Sequence, residues 1–385
     1  MQNILFYAQN NAIILLFYRI ENARKHKYNT GTEKEEETVM KAAIYHGIEN
    51  VSVEEITMPE CGDNDVILRN VRGSICGTDI GAYYHGGDDA GIFPEHTFGH
   101  EMSAVVYQKG KNVSDEIQVG MRVFPNPTLS KRADSGLSML EICDECGAFS
   151  QYVQIQDAQL DYNLFELPEN VSFDEAAIIE PFSVAMHGIN QVNVKAGDRV
   201  VIFGAGMIGL CTLSACLSKG VKEIVVADIN EWRLEKAADM GAIPFNSAKG
   251  DVKEFLRDLF GKDVSNLGGS PACDVDVYVD TSGAPVILPT ILDCAKPHAR
   301  VSIVALYHRN VSLNPYLISC AEIEIKGSFA YTNDDIREVI SVLKNKMTPV
   351  AGIITHHYPL DQIKEAFAMA ANQNESLKIL IDHEA

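Results

Sequence analysis

Three segments of the chain carry side chains that zinc prefers as ligands. Cys76 lies in the segment GSICGTD, His100 lies in GHE, and Glu180 lies in EPFS. One sulfur, one imidazole and one carboxylate can hold zinc while a fourth position stays open to a substrate. The separations of 24 and 80 residues prove nothing alone. Each residue could equally be a core cysteine, a hydrogen-bonded histidine or a helix-capping glutamate.

A glycine-rich turn in the second half of the chain has the pattern GxGxxG. It directly follows the apolar run RVVIF and opens an apolar helical stretch, which is the context that a dinucleotide-binding loop requires. The glycines permit a tight turn, close approach of a pyrophosphate and close packing of helix on strand, and the helix N-terminus faces the phosphates. The candidate coenzyme contacts in this loop are Gly204, Gly206, Met207, Ile208 and Gly209.

The next predicted strand ends on an acidic residue, Asp228, which lies 19 residues after Gly209. A carboxylate there accepts hydrogen bonds from the ribose hydroxyls and repels a 2′-phosphate, which favours NAD over NADP. The alternative interpretation is a polar turn before a helix capped by Asn230. Arg233, one turn further on, is a second candidate coenzyme contact because it could attract a 2′-phosphate, although its position favours the helix surface.

The composition is that of an acidic globular protein. The chain has 385 residues, 46% of them apolar, with 32 basic and 53 acidic side chains and a formal charge of −21. This mixture excludes disorder, collagen and coiled coil as the main state. The negative charge disfavours nucleic acid or a membrane surface as a partner, and the length predicts two domains.

The rhythm of the predicted elements changes near residue 182. Residues 40–181 contain short alternating apolar runs between Gly, Pro and Asp, which predict a mostly β domain. Residues 182–330 alternate strand, turn and helix, which predicts an α/β fold with a doubly wound parallel sheet. Residues 331–385 carry two amphipathic helices and are assigned to the first domain.

The cysteine content indicates a reduced, cytoplasmic protein. Nine cysteines occur in the chain, an odd number, and their spacing is scattered. A disulfide scaffold is therefore a poor interpretation for a chain of this size.

Residues 1–39 fit neither domain. Their longest clean apolar run, residues 12–18, is too short to span a membrane, and no signal-peptide pattern surrounds it. We expect either that translation starts at Met40 or that residues 1–39 form a disordered or loosely docked arm.

Together these motifs resemble those of the zinc-dependent medium-chain alcohol and polyol dehydrogenases. CGTD, GHE, GMRV, EPFSVAMHG and GAGMIG occur in the order of that family, and the resemblance runs from about Met40 to the C-terminus. The segments AYTNDD and NQNESLKI are similar to the sorbitol and 2,3-butanediol dehydrogenase branch. The resemblance implies an NAD-binding Rossmann domain, a GroES-like catalytic domain, one catalytic zinc ion and a homodimer or homotetramer.

The resemblance also implies which residues hold the metal. Cys76, His100 and Glu180 would bind the catalytic zinc ion. Glu101 would be an adjacent carboxylate able to approach the metal.

Three further residues would serve the reaction around the metal. By the same resemblance, Asp79 would orient His100, and Thr78 would hydrogen-bond the alcohol oxygen and pass its proton outward. His85 would line the substrate pocket, with a plain loop histidine as the alternative. Zinc lowers the pKa of bound water from about 15.7 to about 7, and an alcohol is expected to gain a similar shift before NAD accepts the hydride.

The leading hypothesis is hydride transfer between NAD and a secondary alcohol, a vicinal diol or a sugar alcohol. A metal-free quinone or enone reductase shares the predicted fold, but Cys76, His100 and Glu180 argue against it. A non-catalytic NAD-binding protein is the alternative from another class, and the intact ligand set disfavours it. The choice among the three substrate types stays open.

We predict one zinc ion per subunit rather than two. Members of the family that the chain resembles often carry a structural zinc ion held by four closely spaced cysteines, whereas residues 124–149 contain only Cys143 and Cys146. A closed structural site requires four donors. Elemental analysis after desalting should give about one zinc ion per chain. Two zinc ions in wild type, falling to one in a Cys143→Ala/Cys146→Ala variant, would contradict the prediction.

Overall fold

A computed structural model describes residues 39–87, 90–127, 147–261, 265 and 271–385. The hypotheses about the N-terminal segment and about Cys143 and Cys146 concern residues outside these ranges, apart from Val39, which begins the first strand.

The described residues form sixteen strands and ten α-helices. In chain order the strands are β1 Val39–Gly47, β2 Asn50–Thr57, β3 Val66–Ser74, β4 His96–Thr97, β5 Glu101–Lys109, β6 Arg122–Pro125, β7 Tyr152–Ile155, β8 Leu164–Glu166, β9 Arg199–Phe203, β10 Glu223–Asp228, β11 Ile243–Asn246, β12 Val277–Asp280, β13 Arg300–Ile303, β14 Glu324–Gly327, β15 Ile354–Pro359 and β16 Lys378–Asp382. The helices are α1 Gly77–His85, α2 Phe173–Ala176, α3 Ile179–Gln191, α4 Met207–Ser218, α5 Glu231–Asp239, α6 Val252–Phe260, α7 Ile287–Cys294, α8 Pro315–Ala321, α9 Asn333–Lys344 and α10 Ile363–Ala370.

The first half of the chain forms two β-sheets, as its alternating pattern predicts. One has three strands in the order β2-β1-β4, and the other has the order β15-β16-β3-β5-β6-β8, with β7 also paired to β3. The pairs of β3 with β5 and of β16 with β3 are antiparallel. The two predicted C-terminal helices are present as α9 and α10. The sequence pattern did not predict β15 and β16, which return the end of the chain to the seven-stranded sheet.

The second half forms one six-stranded sheet in the order β11-β10-β9-β12-β13-β14. All its pairs are parallel, and the order reverses at β9, which is the arrangement of a doubly wound dinucleotide-binding sheet. This confirms the predicted fold class. The helix α4 lies against the sheet and buries eight of its residues, because its sequence is apolar nearly all round.

The helices α3 and α9 pack together beside this sheet. His187 on α3 lies 2.8 Å from the carboxylate of Asp335 on α9, and Asn190 donates to the same carboxylate at 2.8 Å. These contacts lower the pKa of Asp335, although its partial burial opposes the effect. His187 therefore joins two helices.

We predict that Gly209→Ala destabilises the turn between β9 and α4. A Cβ on Gly209 would lie 1.9 Å from the carbonyl oxygen of Gly204, so the backbone would have to move. We expect the free energy of unfolding to fall by about 1–3 kcal/mol, as for other overpacked sites, and NADH binding to weaken.

Denaturant unfolding and NADH fluorescence titration measure both effects. The matched control is Gly352→Ala, because nothing lies within 4 Å of a Cβ at Gly352. Wild-type stability and NADH affinity in Gly209→Ala would show that the close packing of this turn is unimportant.

Candidate active site and coenzyme loop

The candidate metal site lies where three neighbouring strands meet. Ser74, the last residue of β3, pairs with Glu101 at the start of β5 and with Leu380 in β16. Cys76 follows this pairing point by two residues, and His100 precedes Glu101 by one. The strand register therefore brings a thiol and an imidazole together, although 24 residues separate them in sequence.

Cys76, His100 and Glu101 form a cluster of potential metal ligands. Each offers one ligand atom, and these atoms all lie within 4.8 Å of one another. Glu101 is fully buried, and its Oε1 atom has no hydrogen-bond partner among the described residues. An unpaired buried carboxylate oxygen is costly, and a cation shared with sulfur and nitrogen would satisfy it. The donor set of sulfur, nitrogen and oxygen fits zinc.

The second oxygen of Glu101 is held by the protein itself. The ammonium of Lys378 donates to Glu101 Oε2 at 2.5 Å and to the carbonyl of Ile75 at 3.0 Å. The hydroxyl of Ser74 contacts the same carboxylate oxygen. Burial lowers the pKa of Lys378, but Glu101 and Cys76 raise it above its ordinary value overall. The ion pair fixes Oε2 and leaves Oε1 available.

Acidic groups crowd around the imidazole of His100. Burial raises the pKa of Glu180 to about 7 and that of Asp79 to about 6. Burial by itself lowers the pKa of His100, but Cys76 and these two carboxylates raise it well above its ordinary value. A divalent cation would offset this excess of anionic groups.

The structure groups Glu101, rather than Glu180, with Cys76 and His100. Within the residues that the structure describes, the ligand cluster contains no atom of Glu180. Glu101 follows His100 directly and opens β5, whereas Glu180 belongs to α3. Glu180 still lies within electrostatic reach of His100. The family resemblance implied the reverse, with Glu180 as the ligand and Glu101 as an adjacent carboxylate able to approach the metal.

The other predicted catalytic residues lie on α1. Asp79 accepts the N–H of Cys76 at 2.8 Å, and its Oδ1 lies 3.9 Å from Nδ1 of His100, too far for a hydrogen bond. The hydroxyl of Thr78 is 3.6 Å from the sulfur of Cys76. His85 is exposed at the opposite end of α1, about 13 Å along the helix axis from Cys76. The structure thus brings Asp79 and Thr78, but not His85, to the cluster.

Sequence reasoning missed two residues of this site, Ser74 and Lys378. Lys378 is only 2% exposed, although it is a lysine at the start of the apolar strand KILI. A single lysine within an apolar run was the sequence signal that could have indicated a buried, paired charge. Tyr331 follows Ala330 in the AYTNDD segment, and its hydrogen bond to Glu180 lowers the pKa of that carboxyl against the effect of burial.

The glycine loop has the predicted strand–turn–helix form. Gly204 has a φ of 106°, and Gly206 is the N-cap of α4, which begins at Met207. Oδ2 of Asp228 accepts the N–H of Ala205 in this loop at 2.6 Å. Oδ1 accepts two N–H groups of its own turn, at residues 229 and 230. Asp228 therefore organises a polar turn and lies against the glycine loop, and its contact with the coenzyme ribose stays a prediction.

Arg233 lies beside the glycine loop. A Cβ built on Gly206 would be 3.6 Å from Nη1 of Arg233. The guanidinium is half-buried, and burial lowers its pKa somewhat while Asp228 opposes this effect. The position of Arg233 in the sequence favoured the open helix surface. The structure instead places its side chain partly buried beside the glycine loop.

Two family models match this chain. The alcohol dehydrogenase GroES-like domain matches residues 62–169, and the zinc-binding dehydrogenase domain matches residues 208–345. They cover most strands of the sheet beside Cys76 and His100 and most strands of the six-stranded parallel sheet.

Characterised relatives extend the similarity over nearly the whole chain. Sorbitol dehydrogenase of Bacillus subtilis is 30% identical over 358 residues, covering 89% of this chain and 97% of the relative. (R,R)-butanediol dehydrogenase of the same organism is 28% identical, with 89% and 99% covered. The crystal structure of 2R,3R-butanediol dehydrogenase from Bacillus subtilis superposes with a TM-score of 0.78 at 26% identity, covering 89% of this chain and 99% of that one.

The fold and the site define a dehydrogenase with a Rossmann-type coenzyme sheet. This chain belongs to the zinc-dependent medium-chain alcohol and polyol dehydrogenase family, whose members use catalytic zinc and NAD. It is an alcohol/polyol oxidoreductase, and nothing in the comparisons favours a metal-free reductase or a non-catalytic protein.

No helix in the described segments combines the length and the apolar character needed to cross a membrane.

We predict that Glu101→Gln and Glu180→Gln have different effects on metal content. Glu101→Gln removes a carboxylate from the ligand cluster and leaves the buried ammonium of Lys378 without its counter-ion. Breaking a buried ion pair costs about 3–5 kcal/mol, so zinc content and stability should both fall. Glu180→Gln should keep about one zinc ion per chain and a wild-type unfolding curve.

Elemental analysis and denaturant unfolding of both variants make the comparison. Loss of zinc from Glu180→Gln together with retention in Glu101→Gln would restore Glu180 as the ligand.

Proposed function

We propose that Cys76, His100 and Glu101 hold a single catalytic zinc ion in this dehydrogenase. The observation that supports this proposal is the convergence of their ligand atoms within 4.8 Å, with a buried carboxylate oxygen unpaired in the described structure. Bound zinc supplies Lewis acidity toward a substrate oxygen. The residues of this chain bind it, orient the substrate and move the proton.

The protein side of the reaction is assigned to groups around the cluster. Thr78 binds the substrate hydroxyl and carries its proton outward, since its own hydroxyl lies 3.6 Å from the Cys76 sulfur. Glu180 is buried within electrostatic reach of His100 and is assigned to binding the substrate beside the cluster. Asp79 fixes Cys76 through its backbone N–H and faces His100.

The coenzyme site is assigned to the loop from Gly204 to Gly209. The first N–H groups of α4, at Met207 and Ile208, face the pyrophosphate of NAD. Asp228 selects NAD through the ribose, and the half-buried Arg233 contacts the same region. The assignment of Asp228 is supported by the position of its carboxylate, whose Oδ2 atom lies 2.6 Å from the backbone nitrogen of Ala205 in the loop.

The substrate class is a vicinal diol or a sugar alcohol, with a simple secondary alcohol as the broader possibility. The relatives named sorbitol dehydrogenase and butanediol dehydrogenase act on molecules with several hydroxyl groups. Polar groups at Thr78, Glu180 and Tyr331 surround the cluster and can hydrogen-bond a second hydroxyl. His85, exposed and distant from the cluster, is left to a role at the outer rim of the substrate pocket.

The proposal also includes two domains: a catalytic domain of residues 40–181 and 331–385, and a coenzyme domain of residues 182–330. We further propose that the protein is a homodimer or homotetramer and that it is cytoplasmic. β14 is an edge strand of the six-stranded sheet, and the exposed side chains of Leu306 and Phe329 support subunit contacts there. The seven described cysteines are all free thiols, as expected in a reducing compartment.

We predict that wild-type protein reduces NAD with diols or sugar alcohols and that Cys76→Ser does not. The hydroxyl of serine is a poor substitute for a thiolate ligand, so zinc should be lost. Turnover should fall at least about a thousandfold, which corresponds to several kcal/mol of lost Lewis-acid stabilisation. NADH binding should change less than about threefold, because the glycine loop belongs to another sheet.

A screen of secondary alcohols, vicinal diols and sugar alcohols, each with NAD and NADP at alkaline pH, measures this activity. Cys61→Ser is the matched control, since Cys61 lies outside the ligand cluster. Near-wild-type activity in Cys76→Ser, or no activity of wild type on any alcohol, would contradict the proposal.

A further inference from the structure

The turn at residues 372–376, which joins α10 to β16, contacts the start of α5 beside the coenzyme loop. Nδ2 of Asn230 donates to the carbonyl of Gln373 at 3.1 Å and to Oδ1 of Asn374 at 2.9 Å. Nε of Arg233 donates to the same Gln373 carbonyl at 3.1 Å. Two side chains of the coenzyme half therefore bind one turn of the chain's C-terminal tail.

Asn230 uses both ends of its amide. Its Oδ1 accepts the N–H of Arg233 at 3.1 Å and caps α5, while its Nδ2 reaches the 372–376 turn. The cap fixes the first turn of α5, and the contact with Asn374 fixes that turn against the tail. The backbone that carries Arg233 is thereby held from two sides.

The guanidinium of Arg233 is held at one nitrogen and available at the other two. Nε is bound to the Gln373 carbonyl, and Nη1 lies beside Gly206 in the glycine loop. Among the described residues, neither Nη1 nor Nη2 donates a hydrogen bond to a protein acceptor. Arginine stays charged even when partly buried, so these nitrogens offer donors and positive charge to an anion at the loop.

We propose that the 372–376 turn positions Arg233 for the diphosphate of the coenzyme and that Asn230 and Asn374 are positioning residues for coenzyme binding. This inference rests on the proposed coenzyme site. Without the turn, a long arginine side chain would sample many rotamers, and ordering it would oppose binding. With Nε tied to Gln373, the side chain is preorganised next to the loop that the diphosphate approaches.

The turn leads directly into the strand that carries Lys378. Lys378 starts β16, two residues after the turn ends, and binds Glu101 in the ligand cluster. Residues 372–378 therefore contact both Arg233, which lies beside the coenzyme loop, and Glu101. Both contacts depend on the path of the chain between α10 and β16.

NADH fluorescence titration without alcohol tests the proposal on full-length protein. The variants are Asn374→Ala, Asn230→Ser and Arg233→Gln. Serine is a good N-cap but too short to reach the turn, so Asn230→Ser separates docking from capping. Asn314→Ser is the matched control, because Asn314 caps α8 and its side chain contacts the N–H of Tyr316.

We expect Asn374→Ala, which loses one hydrogen bond, and Asn230→Ser, which loses two, each to raise the Kd for NADH about threefold to tenfold. Asn314→Ser should bind NADH like wild type. In an Arg233→Gln background, Asn374→Ala should raise the Kd no further. Competition with ADP-ribose should weaken in Asn374→Ala, whereas competition with adenosine, which lacks phosphates, should not change.

Three results would overturn the proposal, and each has a distinct meaning. Unchanged NADH affinity in Arg233→Gln would remove Arg233 from the coenzyme site and the positioning role with it, while NADH binding by wild type would leave the glycine-loop site standing. Weaker binding in Arg233→Gln with normal binding in both asparagine variants would refute the turn alone. An equal loss of adenosine and ADP-ribose affinity in Asn374→Ala, or a further loss in the Arg233→Gln background, would assign the turn a general structural role.

Discussion

The antiparallel register of β3 with β5 and β16 is the constraint on which the active site depends. Because Ser74 pairs with both Glu101 and Leu380, the residues just beyond these pairing points meet at one place. A slip of one residue would turn each side chain to the opposite face of the sheet and separate the ligand atoms. The strand pairing that forms the seven-stranded sheet therefore also determines the geometry of the metal site.

A buried ion pair completes this arrangement. Lys378 and Glu101 are nearly inaccessible, so each charge would be costly alone, and each neutralises the other through a direct hydrogen bond. The pair restricts Glu101 to one orientation, in which one oxygen belongs to the protein and the other is available to a metal. A carboxylate without this partner would be free to rotate and would define the ligand geometry less well.

The coenzyme half is constrained by backbone geometry more than by charge. The doubly wound order reverses at β9, which opens a crevice at the carboxyl end of that strand. Gly209 allows α4 to approach Gly204, and the carboxylate of Asp228 binds the N–H of Ala205. The C-terminal tail then reaches both halves, since its turn binds the start of α5 and its strand carries Lys378.

Much of this protein could be predicted from local sequence. The change from alternating runs to strand–turn–helix units predicted two kinds of sheet, because side-chain periodicity follows secondary structure directly. The GxGxxG loop was recognisable because glycine turns use few residue types, whereas Cys76 and His100 were assigned as ligands only through the family resemblance, since their spacing alone proves nothing. The final strands β15 and β16 were missed, since short strands near amphipathic helices have weak patterns of their own.

Tertiary structure determined which side chains meet when they are far apart in sequence, because strand pairing brings such residues together. Local sequence favoured Glu180 as the third ligand and placed Arg233 on the surface, whereas the fold brings Glu101 into the cluster and Arg233 to the glycine loop. The counter-ion Lys378 lies 277 residues from Glu101 in the chain. Residue types therefore determined the class of chemistry, while the register of β3, β5 and β16 determined which carboxylate joins the cluster, because only paired strands fix distances between such remote residues.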